Sequence, residues 1–420
     1  EVAQKVLARY PHAKPNACFY KPGPSGPKWL SVSDMLDYDD EQLVEALDLS
    51  EVVRCSVQMD SSPGFPYLKL GKKNADLFGS ESVKGMVLSA VAQRVRRILT
   101  ASQNGVRFDS LTPLEFLELG LVDPIKVFIK SEPHKLAKIQ QQKFRLISNV
   151  SIVDQLIERV LCSRQNYAEI ARWKECPSKP GMGLHDLGLQ EIFSEVVTRQ
   201  RGRAVAETDI SGWDWSVQDW TLAFDGAMRS RLYHAEEGCA LDVLLRFRSS
   251  AIARKVFILS DGTLYQQLVP GIQASGSYNT SSTNSRMRVA LGYLVGAEWV
   301  IAMGDDDLED VVPGAAESYE TLGYRVKDYK VRSPGHFEFC STAFAGTWQG
   351  QPAQWARTVY RYLSHSLASL QANPGFRVQL ADDLRHCPRK QEILEGCDTV
   401  VAQVSKRLYE NGASPIEQAA

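Results

Sequence analysis

The stretch Glu298–Val312, EWVIAMGDDDLEDVV, constrains the fold more than any other part of the chain. A run of mostly apolar residues, Trp299 to Gly304, stops abruptly at Asp305, Asp306 and Asp307. An apolar run of this length, ended by Gly and followed by further Val, reads as a buried strand feeding a tight hairpin. Adjacent carboxylates at such a tip repel one another unless a cation sits between them. Mg2+ is typically held by one or two carboxylates together with substrate phosphates. The alternatives are a solvated acidic turn and a calcium loop, which would need a D-x-[DN]-x-[DN]-G pattern followed by Glu that is absent here. A metal-holding tip calls for a second carboxylate elsewhere, a basic strip for phosphates and a group that recognises sugar.

At 420 residues the chain is long enough for a large core, and length alone predicts about two to three lobes. The formal net charge of -2 counts mildly against a protein that coats nucleic acid through a global basic surface, but it leaves room for a local basic channel. Eight cysteines are scattered without a CxxC pair, as expected of reduced thiols in a cytosolic compartment. No zinc site is legible. No segment resembles a signal peptide, and no apolar run reaches the ~18 residues of a membrane span. The start at Glu1 is expected to be that of a mature or cut product.

Residues 1–30, rich in Pro, Gly and Lys, predict an extended strap. Ser61 to Asn74, SSPGFPYLKLGKKN, is a loop that either lies along a nucleic-acid backbone or is only a turn. Helical spacing runs over residues 82–100 and again over 151–172. Between them, Lys126 to Arg145 carries six cations (126, 130, 135, 138, 143 and 145) against one acid, Glu132. This is either a solvated basic face or a phosphate-neutralising strip, with FIKSEP and KFRLISN forming the two arms of a hairpin. A strand through RAVAETDI ends near Asp209, and Asp214 follows in the SGWDW turn. Asp209 is placed to reach a metal, although a strand-end Asp is often only a cap or turn former. Ser216 and Asp219 predict a capping box, followed by a helix with Trp220, Phe224 and Ala227 on one face. Pro270 to Asn284 is a small-residue loop entering a helix with Met287, Leu291 and Leu294 on its buried face. Thr280 and Asn284, one turn apart, share a face. Asn is a poor helix former and a good hydrogen-bond partner, so Asn284 is a candidate ligand. GYRVKDYKV predicts an edge strand with Lys327 and Lys330, FEFCSTAF a further strand, and the chain beyond Thr347 a separate all-α lobe.

Three phrases in order carry a family resemblance: D-x4-D at Asp209 and Asp214, SG-x3-T-x3-N from Ser275 to Asn284, and GDD at 304–306. With SKPGMGL and FEFCS, they make the chain similar to viral RNA-dependent RNA polymerases of positive-strand RNA viruses, in particular the sobemovirus, polerovirus and enamovirus group. The resemblance runs from Ser61 to the C-terminal helices. It implies an α+β right-hand fold with fingers, a palm built on an antiparallel sheet, a helical thumb and closed fingertips. The implied segments are 1–160 for fingers and fingertips, 161–224 and 271–346 for palm, 225–270 for a fingers insertion and 347–420 for thumb.

The same resemblance implies the site. Asp209, Asp305 and Asp306 match the ligands of two Mg2+ ions, for which Mn2+ can substitute. Asp214, Ser275, Gly276, Thr280 and Asn284 match the ribose-sensing nucleotide site, and Lys130, Lys138 and Arg145 the cations that hold the triphosphate. Ser61, Ser62, Pro63, Gly64, Phe65, Pro66 and Tyr67 resemble the loop that guides template and primer. Lys327 and Lys330 both qualify as the acid for pyrophosphate. Two departures stand out: Met303 precedes GDD, where many relatives outside this group carry Tyr or another residue, and His134 stands where picornavirus-like enzymes have Arg. An unperturbed imidazole is mostly neutral at pH 7, which argues against phosphate binding by His134. The expected partners are an RNA template and nascent strand, NTPs, a genome-linked protein and other viral replication proteins. Membrane-associated complexes in the host cytoplasm are the expected location. The rivals are a reverse transcriptase, against which Asp214 and Asn284 stand as groups suited to demanding a 2′-OH, and a non-catalytic RNA-binding viral protein, which would lack convergent carboxylates.

Overall fold

The structure is a computed structural model that describes residues 1–24, 26–130, 132 and 136–410. His134 and Lys135 lie outside the described residues. Two compact units are present, each assembled from three stretches of chain. Unit 1 comprises Glu1–Lys130, Phe144–Gly181 and Thr208–Tyr329, and unit 2 comprises Ser131–Lys143, Met182–Glu207 and Lys330–Ala420.

In chain order, the elements used below begin with α1 (Val2–Leu7), α2 (Glu81–Gln103), β1 (Ile125–Ile129), β2 (Leu146–Asn149), α3 (Ile152–Ala171), α4 (Asp186–Gln200) and β3 (Val205–Ile210). There follow α5 (Asp219–Leu232), α6 (Ala240–Ala253), β4 (Val256–Ile258), β5 (Leu264–Gln266), α7 (Thr280–Val295), β6 (Val300–Met303) and β7 (Asp306–Asp310). The remainder are α8 (Ala315–Thr321), β8 (Val326–Arg332), β9 (His336–Phe339), β10 (Thr342–Ala345), α9 (Trp355–Leu363), α10 (Gly375–Asp383) and α11 (Lys390–Glu410).

The largest core of unit 1 forms where α2, α3 and α6 bury Val91, Ile98, Leu156 and Leu244. Arg94 is buried and donates to Asp154 and Asp123, both at 3.0 Å. The N-terminal segment is not an extended strap throughout, because Val2–Leu7 is helical and buries Val6, with Tyr10 just beyond it, against Val289 and Val300.

Two further expectations fail where buried charge replaces apolar periodicity. The α5 capping box is absent: the Ser216 hydroxyl donates to Trp213 O at 2.9 Å, and Asp219 accepts from Arg254 at 2.9 and 3.2 Å. A charge-assisted fork of that kind outcompetes a local cap. Trp220 is 41% exposed, and α5 instead buries Leu222, Asp225, Met228 and Arg229. Asp225 accepts from Arg229 at 3.0 Å and also pairs with Arg286, which pairs with Glu169. Helix α7 is buried on almost every side; Arg286 and Arg288 are 0% exposed, whereas Leu294, expected inside, is 43% exposed.

The central sheet has the strand order β8-β3-β7-β6, with β8 at an edge. Strands β6 and β7 are antiparallel, and Met303 faces Asp306 across the ladder. Gly304 and Asp305 are therefore a two-residue turn. Gly304 takes φ +64°, and a tight hairpin needs a positive φ at its first central position, which glycine adopts without strain. A second sheet has the order β2-β1-β4-β5, in which β1 and β2 are antiparallel and β1 and β4 parallel.

In unit 2, FEFCSTAF is two strands rather than one. Strands β9 and β10 pair with Phe339 opposite Thr342, and Cys340 and Ser341 form the turn at φ +50° and +58°. Phe337 and Phe344 stack at 4.6 Å, with Phe193 of α4 about 6 Å from both. Helices α9, α10 and α11 bury Tyr362, Leu380 and Leu394 in their own cluster. The C-terminal helices are thus not a separate all-α lobe, since they share their unit with α4 and the β9–β10 hairpin. None of the cysteines forms a disulfide among the described residues. No helix among the described residues is long and apolar enough to cross a membrane.

Candidate active site

The sheet brings the strand of Asp209 beside the strand that leaves the Gly304–Asp305 turn. The contact is specific: Thr208 N–H donates to Asp307 Oδ1 at 3.2 Å. Asp209 therefore lies one residue, and Asp305 two residues, from a shared hydrogen bond. Asp209, Asp305 and Asp306 are all exposed. Lys327 of β8 forms an ion pair with Asp209. The period of a strand sends Lys330, three residues on, to the opposite face. Among the described residues no three His, Cys, Asp or Glu side chains close into a metal cage.

Asp214 lies within electrostatic reach of Asp305. Burial raises its pKa and the charge of Asp305 adds to that, opposed by the hydrogen bond from Asn284 and the charge of Arg145. Asn284 Nδ2 donates to Asp214 Oδ1 at 3.2 Å. Asn284 is buried, and its Oδ1 has no hydrogen-bond partner among the described residues. Backbone bonds fix the surroundings, because Gln273 N–H donates to Asp214 O at 2.7 Å.

The loop before α7 is fastened from both sides. Ser148 N–H of β2 donates to Ser275 Oγ at 3.1 Å, and a Cβ on Gly276 would lie 2.0 Å from Ser148 O. The Thr280 hydroxyl is spent inside the loop, donating to Ala274 O and Ser277 O at 2.9 Å. Glu158, buried in α3, accepts from Ser277 Oγ and Tyr278 N–H, each at 2.7 Å. Ser275, Gly276 and Thr280 thus shape the loop, while Asn284 presents a free polar atom.

The basic strip forms the expected hairpin, and Lys130 N–H donates to Arg145 O at 2.8 Å, one step beyond the β1–β2 ladder. Lys138 lies exposed on the short helix Leu136–Gln140 in unit 2. Ser61 to Tyr67 is docked on the start of α3. Ile152 N–H donates to Pro63 O at 2.8 Å, Asn74 N–H to Ser61 O at 2.8 Å and Gly64 N–H to Ser62 Oγ at 3.3 Å. Lys69 stands 5.4 Å over the Phe65 ring. Pro66 and Tyr67 are half-buried.

Sequence reasoning passed over the polar side chains behind this surface. Arg288, Asp307 and Glu309 are buried together. The one available signal was a pair of arginines, SRMR, in a helix with no other charged residue.

A carboxylate-tipped hairpin in an antiparallel sheet, with an Asp on the neighbouring strand, defines the palm of a right-hand polymerase. The whole fold agrees: the sicinivirus 3Dpol RNA-dependent RNA polymerase superposes with a TM-score of 0.58 over 94% of this chain and 80% of that one, at 13% identity. The family described as viral RNA-directed RNA polymerase matches residues 41–372, and the chain belongs to that family. The RNA-directed RNA polymerase of Mushroom bacilliform virus is 41% identical over 355 residues, covering 81% of this chain and 82% of that protein. The replicase polyprotein P2AB of Southern cowpea mosaic virus is 41% identical over 86% of this chain, and protein P1-P2 of Turnip yellows virus 36% identical over 81%. The chain spans 36% and 33% of those two longer proteins. It is an RNA-directed RNA polymerase, of a family that works with RNA, NTPs and divalent metal ions.

Proposed function

We propose that the chain extends RNA on an RNA template, replicating and transcribing a positive-strand virus genome, with two divalent ions held by Asp209, Asp305 and Asp306. The observation that carries this reading is the Asn284–Asp214 pair beside those carboxylates, with Asn284 Oδ1 buried and unpartnered. A ribose 2′-OH can donate, so it complements the open amide oxygen of Asn284. The donor set suits Mg2+: exposed carboxylate oxygens in an open arrangement match an ion shared with substrate phosphates rather than enclosed by protein. When bound, Mg2+ or Mn2+ supplies Lewis-acid stabilisation of the attacking and leaving oxygens.

The remaining work falls to the chain's own side chains. Lys130, Lys138 and Arg145 offset triphosphate charge, because catalysis of phosphoryl transfer is mostly placement and electrostatics. Lys327 is the better proton donor to pyrophosphate, since it shares a face with Asp209 and Lys330 does not. Ser61 to Tyr67 steers template and primer. In this reading residues 1–160 and 225–270 are fingers, 161–224 and 271–346 palm, and 347–420 thumb. A genome-linked protein and other replication proteins would join the complex at host cytoplasmic membranes.

Template-directed incorporation with Mg2+ tests the reading. Asp305→Ala is expected to lose roughly 10³-fold or more, the several kcal/mol that a metal site carries. Near wild-type incorporation by that variant rejects the metal role. Preference for dNTPs over rNTPs in the same assay favours a reverse transcriptase.

A further inference from the structure

Thr208, the residue before Asp209, has every hydrogen-bonding group engaged by one buried cluster. Its N–H donates to Asp307 Oδ1 at 3.2 Å, and its carbonyl accepts from Arg288 Nη2 at 3.1 Å. Its hydroxyl donates to Glu309 Oε1 at 2.8 Å. Arg288 and Asp307 in turn form an ion pair. The pair and the Thr208 backbone thus close a ring drawn from α7, β7 and β3. Glu309 is held from its other side by the Tyr319 hydroxyl at 2.8 Å. Arg288 lies 5.3 Å from the Trp213 ring and 5.4 Å from the Tyr319 ring, so aromatic faces cover the rest of the guanidinium.

A fully buried ion pair adds little net stability compared with apolar packing of the same volume. Here its placement is informative, since it grips the backbone of one residue at both ends and that residue precedes Asp209. Asp307 also directly follows Asp305 in the turn and Asp306 on the strand. Alternation along the strand separates exposed Asp306 from the buried clamp residue Asp307.

We infer that Arg288 and Asp307 are positioning residues that fix the Thr208–Asp209 peptide, and so set the Asp209 carboxylate against Asp305 for divalent-ion binding. The inference rests on the reading of Asp209 as a metal ligand. Groups that orient a ligand from behind typically change metal affinity by about 10–100-fold when altered. A lysine keeps the charge of Arg288, but its shorter side chain leaves the ammonium short of Nη2, the one nitrogen that reaches both Thr208 O and Asp307.

The test is Mn2+ binding to the full chain without nucleotide, followed by electron paramagnetic resonance. Arg288→Lys is expected to weaken Mn2+ affinity about 10–100-fold. The Mg2+ concentration for half-maximal incorporation should rise in parallel and activity recover at high Mg2+. The double variant Arg288→Met with Asp307→Leu leaves no lone charge at the pair and should fold, giving the same loss if the clamp positions Asp209. Folded variants with altered melting temperature but wild-type Mn2+ affinity overturn the inference and reduce the pair to a structural role. Asp209→Asn separates the two ideas: wild-type Mn2+ affinity in that variant refutes Asp209 as a ligand. Tight binding in Arg288→Lys combined with loss in Asp209→Asn refutes the clamp alone.

Discussion

Replacing Gly276 by Ala probes how closely the loop before α7 is pressed on β2. The added Cβ would sit 2.0 Å from Ser148 O and 3.1 Å from Ser148 C, whereas real Cβ contacts essentially never fall under 3.0 Å. Backbone must therefore move against backbone by about an ångström, and overpacking of this kind costs about 1–3 kcal/mol. The same shift strains the Ser148–Ser275 bond, worth about 1 kcal/mol. The expected destabilisation is about 2–4 kcal/mol in denaturant unfolding followed by tryptophan fluorescence. Because β2 carries the chain to Arg145, the KM for nucleotide should rise as well, by about tenfold. Ser275→Ala is the control, losing one hydrogen bond without a clash and costing about 1 kcal/mol. Gly276→Ala with unfolding free energy within about 0.5 kcal/mol of wild type, the range of neutral surface changes, and an unchanged KM would refute the close-packing argument.

Asn284→Asp sets two carboxylates against each other at the Asp214 contact, and selectivity for rNTP over dNTP should fall about 10- to 100-fold in paired kcat/KM measurements, the range for a hydrogen bond to a charged group. Arg286→Met leaves Asp225 and Glu169 less compensated in the core, and equilibrium unfolding should register a loss of about 3–5 kcal/mol. Lys255 is buried and donates to Gly271 O at 2.9 Å and Ile272 O at 2.6 Å. Burial, aided by the charge of Arg248, pushes its pKa from 10.5 down to about 7. Between those two values the folded chain binds fewer protons than the unfolded chain, so stability should rise with pH across that window. Lys255→Met should flatten the slope in a pH series of unfolding curves.

Much of the fold is legible wherever apolar spacing and burial coincide. Helices α2 and α3 follow their valine and leucine periods, and the hairpin of β6 and β7 follows from the apolar run ended at Gly304. Legibility is lost where charge is buried: Asp225 and Arg229 line the buried side of α5, and Arg286 and Arg288 hid how deeply α7 lies. It is lost again at Cys340 and Ser341, which adopt the positive φ that turn-forming Asn and Gly normally signal. At the candidate site, the order of the motifs marked Asp209, Asp214, Asn284 and Asp305. The distinction between Lys327 and Lys330 needed the partner across the sheet, which no local pattern encodes. Arg288 and Asp307 were invisible for the same reason, because their significance lies in the backbone of a residue about eighty to a hundred positions away.

The assembly of unit 1 from three separated stretches, the last ending at Tyr329, has a consequence for biosynthesis. At about 5–20 residues per second, a ribosome takes roughly 15 to 65 s to translate the stretch from Glu1 to Tyr329. Once α3 has emerged, α2 and α3 wait for the hairpin of β6 and β7, and Glu158 waits for Ser277 and Tyr278. The nascent polypeptide must keep these greasy, charge-laden surfaces from sticking to its neighbours until the closing strands emerge. Host chaperones that engage polysomes should therefore influence how much active enzyme a cell accumulates.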